Sequence, residues 1–325
     1  MEDKKYIRFQ WFAVSAGVII LVIKFLAFHI TGSNAILSDA LESIINVVAG
    51  SFALYSLILA AKPKDTDHPY GHGKIEFISS GIEGTLILLA GISIVLKSVH
   101  DLILPHQVVK LDLGLYLAAG AGLINYILGW ITEYYGKKNN SPTMAASGKH
   151  LKSDGYTSLG LIIGLSVVLL TGFIWIDSVI AIGFGAYIGI VGLKEVRKSV
   201  AGIMDEADFE LLRDLVTHLN KKRNQNWIDI HNFRAQKFGK GIHIDCHITV
   251  PYYLTVEQAH EEIDAMENLV KEHYPHGVEM FIHTDPCTPN SCRICSKSNC
   301  DARQSELQER IEWNLENVLQ NQKHQ

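Results

Sequence analysis

A bundle of six transmembrane helices followed by a small cytoplasmic α+β domain is the fold this sequence predicts, and three observations predict it. Of its 325 residues 48% are hydrophobic, and up to about residue 200 the charges sit in short clusters between apolar runs. Six of those runs approach the about 20 apolar residues that a spanning helix needs, at roughly 9–30, 35–61, 76–100, 111–134, 145–171 and 175–196. Beyond them the charges disperse, and segments of helical and of strand periodicity alternate. The expected organisation is a six-helix membrane domain over 1–204, a small cytoplasmic α+β domain over 205–286, and a Cys-rich segment with a C-terminal helix over 287–325.

The first run follows the polar head MEDKK. It is too long for a signal-peptide core and no small-residue cleavage site follows it, so it reads as a true span. Its Lys24 reads either as one half of an internal ion pair or as a residue that snorkels or faces the bundle. Basic residues set the orientation. Lys4, Lys5 and Arg8, then Lys62, Lys64 and Lys74, then Lys137, Lys138, Lys149 and Lys152, then Lys194, Arg197 and Lys198 all flank one side. The other side carries little beyond Lys97 and Lys110. The positive-inside rule therefore places both termini in the cytoplasm of a multi-pass protein of the cell's inner membrane. The net charge of −5, without a basic patch interleaved with aromatics, speaks against nucleic acid as a partner.

The second span contains SDALESIIN, in which Asp39, Glu42 and Asn46 recur at helical spacing and share one face. A charge at the centre of a bilayer helix costs roughly 2.5–3.5 kcal/mol on insertion scales, so this face must look into a cavity, a partner helix or an ion. The loop AKPKDTDHPYGHGKIE follows, with Asp65, His68 and His72 within eight residues. That spacing suits a divalent ion and equally suits a solvated loop. In span three Glu83 reads as functional or as an interhelical hydrogen bond. Span four has small residues for close packing and one Asn125, and reads as structural. Span five opens with GKHLKSDGYTSLG, whose His150 and Asp154 are four apart, as Glu42 and Asn46 are. Two helices packed face to face would give a four-cornered N/O cage suited to a divalent metal; the alternative is a pair of polar caps on unrelated helices.

After span six the pattern reads as a helix at roughly 205–222, a strand near 227–237, a Gly-Lys-Gly turn, and a second strand GIHIDCHITV. A helix near 255–273 and a strand at roughly 277–283 complete an αββαβ, ferredoxin-like order in two layers. Nine of the fifteen histidines lie in this half, a bias toward metal ligation. All five cysteines fall here too, in a reducing compartment that favours free thiols or metal ligands over disulfides. Cys287, Cys292, Cys295 and Cys300 form C-x4-C-x2-C-x4-C. With one C-x2-C pair they read as a structural or sensing zinc site, with Cu(I), an iron–sulfur cluster or unligated thiols as alternatives. Residues 303–321 carry apolar positions at helical spacing and predict a terminal helix.

The TGS turn at Thr31–Ser33, SDALES, HPYGHGKIE, HLKSD and HTDPC together resemble the cation diffusion facilitators, six-span metal/proton antiporters with a cytoplasmic domain. The resemblance runs across almost the whole chain. It implies a homodimer in membrane lipid whose substrate is a divalent cation, exchanged for protons, and not an enzyme. It places the transport ligands at Glu42, Asn46, His150 and Asp154, and a structural or regulatory zinc cluster at His231, His247, His260, His283 and Asp285. Zinc-type members usually carry His or Asp in place of Glu42 and Asp in place of Asn46. Asn46 removes one formal charge, which Asp39 can restore from one turn earlier. The mixed set suits Zn²⁺ or Fe²⁺, and also Mn²⁺, Co²⁺ or Cd²⁺. His150 is the expected proton partner, because an imidazole titrates close to physiological pH. The rival reading is a membrane metal sensor that binds without transporting.

Overall fold

The computed structural model describes residues 2–31, 34–103, 113–171, 173, 175–239, 241–274 and 277–324. The side chains of some helical residues, Asp39 and Glu42 among them, lie outside the described set, as do Gly32 and Ser33 of the TGS turn. The chain divides into two compact units, residues 1–204 and 205–325.

The first unit is built from α1 (Glu2–Thr31), α2 (Asn34–Ala60), α3 (Ile75–Ile103), α4 (Leu113–Lys138), α5 (Pro142–Thr171) and α6 (Trp175–Ile203). Each has 26 to 30 residues, which at about 1.5 Å per residue exceeds the about 30 Å hydrocarbon core. Over the described residues, Ile7–Leu26, Ile75–Ile103 and Ser178–Ile203 are long and apolar enough to span a membrane, and Asn46–Ala60 adds a shorter apolar stretch. Apolar side chains face outward: Phe12, Ile19, Leu96, Leu123 and Trp130 are exposed, while Gln10, Glu76, Glu83 and Thr132 are buried. That inversion suits a lipid surround and gives the polar groups only one another for partners.

Two seams hold the bundle. Along α3 and α6, a Cβ added at Gly91 would stand 2.5 Å from the backbone nitrogen of Gly189. Along α4 and α5, a Cβ at Gly148 would stand 2.3 Å from that of Glu133. Small residues let these backbones approach until van der Waals contact replaces the hydrophobic drive that lipid cannot supply. The start of α5 is fixed by sequence: Ser141 accepts from the Met144 amide at 3.4 Å and Pro142 takes the first helical position. The Ser141 hydroxyl donates to Glu76 on α3, and Thr143 donates to the Glu76 carbonyl at 3.1 Å.

The second unit contains α7 (Phe209–Lys222), β1 (Asp229–Phe238), β2 (Gly241–Val250), α8 (Val256–His273), β3 (Val278–Pro286), a 3₁₀ turn (Pro289–Arg293) and the short α9 (Leu315–Val318). The sheet order is β1-β2-β3, with β1 antiparallel and β3 parallel to β2. Asp208 caps α7, accepting from the Glu210 and Leu211 amides at 3.1 Å each. Its apolar face, Leu211, Leu212, Leu215, Val216 and Leu219, packs with Ile230, Phe233, Ile244, Cys246, Ile248, Met266 and Val270. Each such buried side chain contributes about 1.5–3 kcal/mol. Cys246 belongs to this core, where burial raises its thiol to about 12 and keeps it protonated.

The terminal helix expected over 303–321 is not formed; only Leu315–Val318 is helical. The apolar side chains are used singly instead. Ile311 packs beside Ile228 and Cys295, and Trp313 is 3% exposed in the main core under the Arg223 guanidinium. The Gln308 and Glu309 amides donate to the Arg293 carbonyl, a geometry helix would forbid.

Candidate metal sites

Four groups of ligating side chains were expected, and the described residues form them to different degrees. In the membrane unit the i, i+4 spacing sets His150 and Asp154 one turn apart on α5, facing Asn46 of α2. The Asn46 amide nitrogen donates to Asp154 Oδ2 at 2.6 Å, and its carbonyl oxygen lies 2.9 Å from His150 Nε2. One carboxamide thus bridges both partners across two helices. Asp39 and Glu42 stand on the same helix, with side chains outside the described set.

Sequence reasoning left open what else would line this place. Glu83 of α3 is 1% exposed with Oε2 3.9 Å from His150 Nδ1, and among the described residues neither of its oxygens accepts a hydrogen bond of normal geometry. A cavity of about 40 Å³, ion-sized, runs between Asn46, Glu83, His150, Ser147, Gln10 and Asn125. Gln10, 1% exposed inside an apolar helix, brings α1 to this wall. Asn125, expected to be structural, also reaches this wall. Lys24 is buried and donates to Ser43 at 2.7 Å.

In the loop after α2, Asp65, His68 and His72 bring one ligand atom each within 4.8 Å of one another. Asp65 Oδ1 lies 3.1 Å from His68 Nδ1 and Oδ2 lies 3.3 Å from His72 Nε2, and the rings are 4.3 Å apart. The His68 amide, donating at 2.7 Å, leads the effects that hold the Asp65 carboxyl below its ordinary value. Gly71, at φ +89°, makes the reversal that returns His72 to Asp65.

In the second unit strand register assembles the ligands. His231, His247 and His283 are direct cross-strand partners on β1, β2 and β3, so they form one row on one face. Asp285 closes it, with Oδ2 3.5 Å from His231 Nε2 and 3.4 Å from His247 Nδ1. His283 Nε2 lies 3.9 Å from Asp285 Oδ1. A bulge between His231 and Arg234, with Asn232 at φ 51°, lets His231 stay in the row while Phe233 returns to the core. The tail reaches the same place: Lys323 Nζ is 3.1 Å from Asp285 Oδ1 and His324 Nδ1 is 2.6 Å from Asp229 Oδ1. Burial works to raise the Asp285 carboxyl, but Lys323, His231 and His283 outweigh it and hold it low. His260 is not brought in; it is exposed on α8, 3.8 Å from Asp264. Period-two alternation identifies a strand face, while a helical histidine has no register to place it. The four tail cysteines line one separate cavity.

A model of the cation efflux transmembrane domain matches residues 11–204, and one of the cation efflux protein cytoplasmic domain matches 210–287. The chain belongs to the cation efflux, or cation diffusion facilitator, family. An uncharacterized transporter of Synechocystis is 31% identical over 274 residues, 84% of this chain and 88% of that one. Metal tolerance protein C1 of Arabidopsis thaliana is 29% identical over 304 residues, covering 88% of this chain and 63% of its own length. The cation-efflux pump FieF of Salmonella agona is 26% identical over 285 residues, 85% of this chain and 91% of the pump. The cation efflux models take in the membrane cluster, the loop and the histidine row; Cys292, Cys295 and Cys300 lie beyond both.

Proposed function

We propose that this cation efflux protein exports Zn²⁺ or Fe²⁺ from the cytoplasm in exchange for protons, through Glu42, Asn46, His150 and Asp154. The observation that carries the reading is the Asn46 amide bridging His150 and Asp154 between two helices, beside a buried Glu83. Two carboxylates, Glu42 and Asp154, balance one dication, so Asn46 supplies an oxygen donor without excess charge. A metal needs His150 neutral and the carboxylates ionised, so protons compete with it. Protonation on the far side releases the cation, and rocking of the bundle alternates access. Glu83 relays to the cytoplasm the proton that His150 sheds as metal arrives. The cytoplasmic unit pairs two copies and holds regulatory zinc on the histidine row, and the protein sits in the inner membrane with both termini cytoplasmic.

The test is uptake of Zn²⁺, Fe²⁺, Mn²⁺, Co²⁺ and Cd²⁺ into proteoliposomes under an imposed pH gradient. Asp154→Ala is expected to abolish flux in a protein that still reconstitutes. Asn46→Asp is expected to shift the preference among metals. Binding without flux of any metal would make the protein a sensor and end the proposal.

A further inference from the structure

The tail cysteines belong to none of the sites above. Cys287, Cys292, Cys295 and Cys300 line one cavity of about 240 Å³ and none is in a disulfide. The segment is held in a wrap by a single guanidinium. Arg303 donates to the carbonyls of Cys292 at 3.2 Å, Cys295 at 3.0 Å and Lys297 at 2.7 Å, fixing the turns that carry the thiols. Three donors are aimed at sulfur. The Tyr252 amide meets Cys287 Sγ at 3.4 Å, the Gln304 amide meets Cys292 Sγ at 3.5 Å, and the Tyr253 hydroxyl meets Cys300 Sγ at 3.6 Å. A thiol is a weak acceptor, whereas a thiolate bound to metal is stabilised and tuned by such donors.

Size and spacing decide what this cage takes. A lone zinc with bonds of about 2.3 Å draws its four sulfurs to about 3.8 Å from one another. Among the described residues, no three of these sulfurs lie mutually within 4.8 Å. The cavity, at about 240 Å³, has room for several atoms, as a polynuclear core with thiolates at its corners requires. Cys287-x4-Cys292-x2-Cys295 also repeats the spacing of the first three ligands in plant-type ferredoxins. We propose that the C-terminal segment holds an iron–sulfur cluster ligated by Cys287, Cys292, Cys295 and Cys300. Each cysteine binds as thiolate and gives its proton to solvent. Cys295, 6% exposed and packed with Ile228 and Ile294, anchors the cluster to the domain.

The experiment is to purify the full-length protein in detergent without oxygen and count iron, acid-labile sulfide and zinc per chain. Iron and sulfide are expected in equal amounts, about two or about four of each, with visible absorption that dithionite bleaches. Cys292→Ser and Cys295→Ser are expected to lower the sulfide count at least about fivefold, while His247→Ala and Asp154→Ala leave it unchanged. Stoichiometric zinc without sulfide, lost in the cysteine variants, would overturn the cluster in favour of one ion. Neither metal nor sulfide in freshly prepared parent would overturn it too. If a cysteine variant fails to fold, the sulfide count of the parent decides.

Discussion

Glu83 shows what one side chain adds to a set of ligands. It is buried beside His150 and, among the described residues, has no ammonium or guanidinium within ion-pair distance. With Glu83→Gln the neutral amide keeps the shape but cannot take a proton. Flux driven by a pH gradient is expected to fall at least about tenfold, equivalent to about 1.4 kcal/mol, while equilibrium binding of metal changes little; parallel flux and calorimetry check this. Equal losses in both would assign Glu83 to binding instead. The sequence made the meeting of Asn46 with His150 and Asp154 legible because i, i+4 spacing survives any packing. It did not make Glu83 legible as the neighbour of His150, because the meeting of α3 with α5 is a matter of tertiary packing that spacing within α3 does not carry.

At the scale of the element, α7 depends on its cap. Burial works to raise the Asp208 carboxyl, but Lys237, 2.5 Å away, and the Leu211 and Glu210 amides hold it below its ordinary value. A carboxyl lowered in the folded state stabilises above its unfolded pKa of about 3.9 and loses that contribution as pH falls through the folded value. Asp208→Ala is therefore expected to cost about 1 kcal/mol at neutral pH and progressively less in acid. Amide exchange at Glu210 and Leu211 in the full-length protein reads it directly, and a pH-independent loss would contradict the cap. In the membrane unit Gly148→Leu is expected to separate α4 from α5 and lower the melting temperature of the detergent-solubilised protein; an unchanged melt would mean the seam is not needed. The αββαβ order was readable because alternation and caps are local. The tail was misread because Leu307, Ile311, Leu315 and Val318 fit helical spacing, but Ile311 packs against one cluster while Val318 is buried in another.

At the scale of the whole molecule, one chain carries two unlike kinds of ligand field. The membrane cluster is built from N and O donors on long helices, and the cytoplasmic unit adds an imidazole row set by strand register. His247→Ala is expected to remove metal from the row while the membrane cluster still binds; titration of the full-length variant against Asp154→Ala separates the two, and loss of both together would show them to be one system. The row also contains its own antagonist. Lys323 already occupies Asp285 with a positive charge on the same polypeptide, so an arriving cation meets a tethered competitor rather than a bare carboxylate. Such a competitor has a local concentration that dilution never lowers. On the function proposed above, it raises the free metal needed to fill the row, and Lys323→Ala is expected to lower that requirement.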